Sequence, residues 1–143
     1  MITYVIDASV AAKWFLPSTG ETLTAEALEL LKSYAGGGVR FLVPDLFWAE
    51  FGNVLWKAVR LKRLPAQSAA EALRATLERN FPTVSSHELL DAAFTIASAF
   101  DRTVYDALYV ALALNSNSQL VTADERLANA LAAHLPVKWL GAV

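Results

Sequence analysis

Four acidic residues stand where the strands of a parallel sheet would bring them together. Asp7 directly follows one apolar run, Asp124 lies two residues after another, and Glu50 falls within the first two turns of a predicted helix. Asp106 begins a further predicted helix. Because open parallel sheets bind ligands at the carboxyl ends of their strands, these four carboxylates are predicted to converge on one edge of the sheet.

The chemistry of such a cluster points to a divalent cation. No Lys or Arg stands at the same strand ends. Packed carboxylates raise one another's pKa and repel unless a cation neutralises them. Oxygen ligands suit a hard ion such as Mg²⁺ or Mn²⁺. Such an ion can activate water and stabilise the leaving oxygen of a phosphodiester, so the pattern is typical of ion-dependent cleavage of nucleic acid.

Each acid also has a structural interpretation. Asp106 and Asp124 stand where helix caps and first-turn acids are favoured, each worth about 1 kcal/mol, and capping is the commoner explanation for either one alone. Glu50 lies among apolar neighbours, where burying an unpaired acid is costly. Asp7 has the weakest structural reason, although Asp can start a turn. The convergence of all four therefore carries the prediction.

Short apolar strands alternate with helices along the chain, which predicts βαβ crossovers and a mostly parallel sheet covered by helices. The predicted strands are Thr3–Ile6, Val39–Val43, Phe81–Val84, Gln119–Thr122 and Val137–Leu140. The predicted helices are Thr22–Tyr34, Asp45–Leu61 capped by Asp45, Ser68–Arg79, Ser86–Phe100 capped by Ser86, Tyr105–Asn115 and Asp124–Ala133. The helix over 105–115 is apolar on all sides and is therefore predicted to be buried.

Composition narrows the class of protein. The chain has 143 residues, of which 55% are hydrophobic and 18% charged, and its length predicts one domain over 1–143. The longest apolar run, Ala107–Leu114, is far below the roughly 20 residues that span a membrane. The N-terminus lacks the basic segment of a signal peptide, and the chain has no Cys, so a cytoplasmic protein without disulfides is predicted. A net charge of −2 does not indicate a phosphate-binding surface by itself, but a bound ion would supply positive charge.

Four segments, in order, resemble the motifs of PIN domains, and specifically of the VapC-like toxin ribonucleases. They are Val5-Ile-Asp-Ala-Ser-Val10 with Lys13-Trp-Phe-Leu-Pro17 behind it, Pro44-Asp-Leu-Phe-Trp-Ala-Glu50-Phe-Gly-Asn53-Val-Leu, Thr103-Val-Tyr-Asp106-Ala-Leu-Tyr-Val-Ala-Leu-Ala113 and Leu120-Val-Thr-Ala-Asp124-Glu-Arg-Leu. The resemblance covers nearly the whole chain. It implies an α/β three-layer sandwich with a five-stranded parallel sheet, in order 3-2-1-4-5, flanked by helices.

The resemblance also implies a function. A VapC-like protein is a Mg²⁺- or Mn²⁺-dependent endoribonuclease and the toxin of a type II toxin–antitoxin pair. It cleaves phosphodiester bonds of tRNA, rRNA or mRNA with water activated by the ion, and leaves 5′-phosphate and 3′-hydroxyl ends. The resemblance implies two partners, a small cognate antitoxin that blocks the site and a second copy of the toxin in a homodimer. It implies no association with a membrane.

By position, the acidic quartet of the family corresponds to Asp7, Glu50, Asp106 and Asp124. Three of them, Asp7, Asp106 and Asp124, are predicted to hold the ion, with Glu50 as a further ligand or as the group that orients the attacking water. Ser9 and Thr122 match accessory hydroxyls that hold a carboxylate or a water, and Asn53 matches a frequent polar position. These six hydroxyl and carboxyl residues form the predicted catalytic set.

Other classes fit less well. A response-regulator receiver needs an acidic pair at strand one, which here ends Ile6-Asp7-Ala8, and a haloacid-dehalogenase-like phosphatase needs a second Asp where Ser9 stands. The alternative that stays open is a catalytically inactive PIN-like module that binds RNA or protein. Loss of acids usually marks that class, and all four acids are present here.

Basic residues gather at the end of the helix over 45–61. Lys57, Arg60, Lys62 and Arg63 either interact with the helix dipole or contact RNA phosphates. Lys13, six residues after Asp7, either reaches a phosphate or is solvated.

The same helix carries two apolar stripes. The second stripe contains Trp48, Leu55, Trp56 and Val59. It is predicted to pack in the core or, as paired Trp residues favour, to meet the antitoxin, a second copy of the chain, or both.

Overall fold

The computed structural model describes residues 1–143, and its centre is a sheet of five parallel strands. The strands are β1 (Ile2–Ile6), β2 (Val39–Pro44), β3 (Thr83–Val84), β4 (Gln119–Thr122) and β5 (Val137–Trp139). Their order across the sheet is β3-β2-β1-β4-β5. The predicted α/β class and strand order are confirmed.

The first strand is the centre of the sheet. Val5 of β1 pairs with Leu42 of β2 on one side and with Leu120 of β4 on the other. The chain therefore adds strands in one direction from β1 and later in the opposite direction. Such a reversal leaves a crevice at the carboxyl ends of the two strands concerned, which is where open parallel sheets bind ligands.

Seven α-helices connect the strands and flank the sheet. They are α1 (Ala8–Ala12), α2 (Thr24–Ala35), α3 (Leu46–Arg60), α4 (Ala66–Arg79), α5 (Ser86–Phe100), α6 (Val104–Asn115) and α7 (Glu125–Leu131), and a 3₁₀ turn over Leu140–Ala142 follows β5. Helix α6 packs against β1, β2 and β4, and its residues 107–113 are all buried, as predicted for a helix that is apolar on every side. None of the helices has the length and apolarity needed to cross a membrane.

An aromatic cluster holds the edge of the sheet at β3, which is only two residues long. Phe41 of β2 stacks on Tyr34 and on Trp14, with ring centroids 4.8 Å and 5.7 Å apart. Phe81, just before β3, meets the Phe41 ring edge-on at 5.6 Å. The Trp14 Nε1–H donates to the carbonyl of Ala27 at 3.0 Å, which satisfies its buried polar group.

Helix α1 is absent from the sequence prediction. Five residues complete little more than one turn, so they show no amphipathic period. Asp7 is the N-cap residue of this helix, and its Oδ1 accepts from the Val10 N–H at 3.3 Å. The expectation that Asp7 lacks a clear structural role is therefore wrong.

One predicted cap is wrong, and a second occupies the predicted position without a capping hydrogen bond. Ser85, and not Ser86, is the N-cap of α5, and its hydroxyl accepts from the His87 N–H at 3.2 Å. Asp45 precedes α3 but makes no capping hydrogen bond, because it accepts from the Ser86 hydroxyl instead. This contact ties the start of α3 to the start of α5. The other predicted strands and helices are present, with ends shifted by at most two residues.

Candidate active site

A cavity of about 510 Å³ opens beside the carboxyl ends of β1 and β4. We call it the acid cavity, because all four predicted acids line it: Asp7, Glu50, Asp106 and Asp124. Four polar side chains line it as well: Ser9, Asn53, Tyr105 and Tyr109. The predicted site residue Thr122 is fully buried and does not line the cavity. The structure therefore brings the predicted carboxylates to one place.

Asp7 lies between the end of β1 and the start of α1. Its Oδ1 accepts hydrogen bonds from the Val10 N–H and from the Ser9 hydroxyl. Burial is the largest influence on Asp7 and raises its pKa to about 6, even though its hydrogen-bond donors act to lower it. The negative charge of Glu50 adds to the rise. Ionised Asp7 is therefore costly unless positive charge reaches it.

Ser9 and Thr122 connect the two segments that carry aspartates. The Ser9 hydroxyl donates to Asp7, and its oxygen accepts from the Ala123 N–H at 3.2 Å. The Thr122 oxygen accepts from the Asp124 N–H at 3.0 Å, and its hydroxyl acts to lower the pKa of Asp7. These hydroxyls hold the start of α1 against the end of β4.

Glu50 is half-buried on α3 and is held from α6. The Tyr109 hydroxyl donates to its Oε1. Burial is the main influence on Glu50 and raises its pKa, the Tyr109 hydrogen bond opposes this rise, and the charge of Asp106 adds to it. Burial and the contact with Glu50 also raise the pKa of Tyr109, so the phenol stays a neutral donor.

Asp106 lies in the first turn of α6 but does not cap it. Thr103 is the N-cap, and its hydroxyl oxygen accepts from the Asp106 N–H at 3.1 Å. The Asp106 carboxylate lies 3.5 Å from Nη2 of Arg102. Arg102 lies between α5 and α6 and not at a strand end, so it brings a cation to Asp106 that the residues at the strand ends did not predict.

Asp124 caps α7, as the structural interpretation predicted. Its Oδ1 accepts from the backbone N–H groups of Arg126 at 3.1 Å and Leu127 at 3.3 Å. Its Oδ2 makes no hydrogen bond within the protein, and the residue is exposed. Capping thus occupies one carboxylate oxygen and leaves the other available to a ligand.

Tyr109 and Arg102 are site residues that sequence reasoning missed. Tyr109 belongs to a helix whose apolar composition suggested only burial. The available signal was its spacing, because residues three apart on a helix share a face and Tyr109 lies three after Asp106. Arg102 precedes Asp106 by four residues but lies before the N-cap of α6, so no helical spacing indicated this ion pair.

The donor chemistry of the acid cavity fits Mg²⁺ or Mn²⁺. The carboxylates and hydroxyls that line it would bind an ion through oxygen atoms, the ligands that these ions prefer. In the present arrangement, however, no three acidic side chains meet the geometry of a metal site.

Comparisons with known proteins agree with this fold and site. The model of the PIN domain matches residues 4–131. Ribonuclease VapC3 of Pyrobaculum aerophilum is 33% identical over 127 residues, which cover 87% of this chain and 91% of that protein. The chain belongs to the PIN-domain family.

Solved structures show the same architecture. The crystal structure of PAE2754 from Pyrobaculum aerophilum has a TM-score of 0.70 and 26% identity, covering 98% of this chain and 85% of that one. A toxin–antitoxin complex from Klebsiella pneumoniae has a TM-score of 0.62 and 16% identity, covering 94% of this chain and 95% of that one. At that identity the second likeness concerns the fold alone.

Proposed function

We propose that this protein is a Mg²⁺- or Mn²⁺-dependent endoribonuclease and the toxin of a type II toxin–antitoxin pair. The observation that carries the proposal is the meeting of four carboxylates in one cavity at the carboxyl edge of the sheet. The relative named Ribonuclease VapC3 supports an RNA substrate. A cytoplasmic location is part of the proposal, because tRNA, rRNA and mRNA are found there.

Asp7, Asp106 and Asp124 are the residues that would hold the ion. When bound, a divalent ion lowers the pKa of water and offsets the charge of the phosphate. Glu50 is either a further ligand or the group that orients water and takes its proton, a role that suits a half-buried carboxyl with a raised pKa. Tyr109 holds Glu50 in place, and Ser9 holds Asp7.

Cleavage of total RNA tests this proposal. The protein is incubated with Mg²⁺, with Mn²⁺ or with EDTA, and the cut ends are mapped. We expect ion-dependent cuts with 5′-phosphate and 3′-hydroxyl ends. Asp7→Asn should lose activity on the order of a thousandfold, since an ion contributes several kcal/mol to such reactions.

Asp91→Asn is the matched control, because Asp91 is an exposed carboxylate on α5 outside the cavity. Full ion-dependent cleavage by Asp7→Asn contradicts the proposal. Binding of RNA by the wild type without any cleavage favours the alternative of an inactive PIN-like binding module.

We further propose that the Trp56 surface of α3 meets the cognate antitoxin or a second copy of the toxin. Trp56 is 56% exposed, and the Arg60 guanidinium lies 5.5 Å from its ring centre. Two other members of the predicted stripe are less exposed. Leu55 is buried, and Trp48 is half-buried and donates to the Thr83 hydroxyl at 3.1 Å. Trp56 is therefore the member of the stripe that is open to a partner.

Co-purification with the antitoxin and gel filtration test this surface. Trp56→Glu should weaken antitoxin binding or dissociate the homodimer, because it places a charge in an apolar contact. Leu114→Glu changes an equally apolar exposed site at the end of α6 and should leave both unchanged. Unaltered antitoxin binding and oligomeric state in Trp56→Glu contradict the proposal.

A further inference from the structure

A second cavity, of about 630 Å³, adjoins the acid cavity. The two share four lining residues, Ser9, Asn53, Val54 and Asp124. The charged groups beyond this shared wall are mostly positive, because the lining of the second cavity contains Lys13, Lys57 and Arg63 and one carboxylate, that of Glu21. We call this second space the basic cavity.

Glu21 organises two of the three cations. Its Oε1 lies 3.1 Å from Lys13 Nζ, and its Oε2 lies 3.0 Å from Arg63 Nη2. Burial acts to raise the pKa of Glu21, but the two cations outweigh burial and lower it, so the carboxylate stays ionised. Lys13 is buried, so of the two alternatives predicted for it the solvated one is wrong.

The basic cavity carries uncompensated positive charge. Glu21 neutralises only one of the two cations that it contacts. Lys57 is exposed and forms no ion pair, so its charge adds to this excess. Three cations and two carboxylates, those of Glu21 and Asp124, line the basic cavity, so positive charge is in excess there and attracts anions, inside a protein with a net charge of −2.

We propose that the basic cavity is a subsite for an internucleotide phosphate of the RNA, adjacent to the phosphate that is cleaved. The proposal rests on the proposed function of the acid cavity. A polynucleotide has a phosphate at every link, so a strand cleaved in one cavity places a neighbouring phosphate near the shared wall of Ser9 and Asp124. Lys57 contacts this phosphate, and Arg63 does so through the N–H groups that Glu21 leaves free. Buried Lys13 is a positioning residue that fixes Glu21.

This assignment separates the basic residues of α3 and its C-terminal turn into two groups. Lys57 and Arg63 line the basic cavity, whereas Arg60 and Lys62 do not. The Arg60 guanidinium lies over the Trp56 ring instead. Arg60 therefore offers a matched control, with the same loss of one charge from the same helix.

Binding and cleavage of a short fluorescein-labelled single-stranded RNA of mixed sequence test the subsite. Binding is measured in EDTA over a range of salt concentrations, and cleavage is measured with Mn²⁺. Lys57→Ala should weaken RNA binding about three- to tenfold. The slope of the logarithm of the binding constant against the logarithm of the salt concentration should become shallower by about 0.7, the value for one phosphate contact to a single strand. KM should rise by a similar factor while kcat stays within about twofold. Lys57→Arg should restore the salt dependence, and Arg60→Ala should match the wild type.

The outcomes distinguish the two proposals. A wild type that cleaves RNA, with Lys57→Ala unchanged or with Arg60→Ala equally impaired, overturns the subsite and leaves the proposed function standing. A wild type that binds RNA through Lys57 but does not cleave it supports the subsite and contradicts the proposed function. A wild type that does not bind RNA overturns the subsite.

Discussion

The acid cavity and the basic cavity share a wall but treat buried charge in opposite ways. In the basic cavity, each oxygen of Glu21 receives a cation, and the pKa of Glu21 falls in spite of burial. In the acid cavity, Asp7 and Glu50 have hydroxyl donors, and burial raises the pKa of both. A neighbouring negative charge adds to each rise, that of Glu50 for Asp7 and that of Asp106 for Glu50. The first region satisfies its own carboxylate. In the second region only Asp106 meets a cation of the protein, Arg102, so Asp7 and Glu50 require positive charge from outside the protein.

This difference shows which cluster can be a binding site for a cation. A carboxylate that is already paired with a cation gains little from an added ion. Buried carboxylates that repel one another are stabilised by the whole attraction of that ion. The same comparison predicts opposite consequences for stability. Neutralising Glu21 should destabilise the fold, and neutralising Asp7 should stabilise it.

The largest loss of stability is expected from Glu21→Gln. This change leaves the buried Lys13 ammonium without its partner, and breaking a buried pair costs about 3–5 kcal/mol. The measurement is the free energy of unfolding in urea. Glu29→Gln is the control, because the Lys32–Glu29 pair is exposed and such pairs contribute at most about 1 kcal/mol. Equal effects of the two substitutions would show that Glu21 is not the centre of the basic cavity.

A smaller loss is expected from Tyr109→Phe. The substitution removes the hydrogen bond to half-buried Glu50, and bonds to charged groups contribute about 1.5–3 kcal/mol. Without this donor the pKa of Glu50 should rise further. In a plot of cleavage rate against pH, the acid limb should therefore move to higher pH. Tyr105→Phe is the control, since Tyr105 lines the same cavity and makes no side-chain hydrogen bond. An unchanged acid limb in Tyr109→Phe would contradict this role for Tyr109.

The smallest effect on stability is expected from Asp124→Asn. Asn caps a helix about as well as Asp, so the free energy of unfolding should change by less than about 0.5 kcal/mol. If Asp124 also holds the ion through Oδ2, cleavage should nevertheless fall by on the order of a hundredfold. Asp124→Ala should add a loss of about 1 kcal/mol from the missing cap. If cleavage falls only in the variant that is also less stable, Asp124→Ala, then Asp124 acts in capping alone.

Local patterns were sufficient to predict the sheet and the convergence of the acids. Apolar runs predicted the strands, and the order of strands and helices predicted a parallel sheet. In such a sheet the carboxyl ends of neighbouring strands meet, so Asp7 and Asp124 had to lie close together. Their roles in binding an ion stay predictions.

The partners of the acids could not be predicted in the same way. Tyr109 and Glu50 are 59 residues apart, and Arg63 and Glu21 are 42 residues apart, so only the folded chain brings them together. No local pattern states which hydroxyl or cation a carboxylate meets. Helix α1 is a different case, because it is too short to show a period.

The most direct test compares the unfolding of the wild type and Asp7→Asn, without and with Mn²⁺. Asp7 has its pKa raised to about 6 by burial, so the folded protein binds more protons than the unfolded chain. Its contribution therefore favours folding at acidic pH and is lost as the pH rises from about 4 to about 6.

Near neutral pH in EDTA, Asp7→Asn should be more stable than the wild type by up to about 2–3 kcal/mol, and this advantage should vanish at acidic pH. Mn²⁺ should then stabilise the wild type and leave the variant unchanged. A variant that is less stable than the wild type in EDTA, and that Mn²⁺ stabilises equally, would contradict the claim that the acid cavity is built to receive a divalent ion.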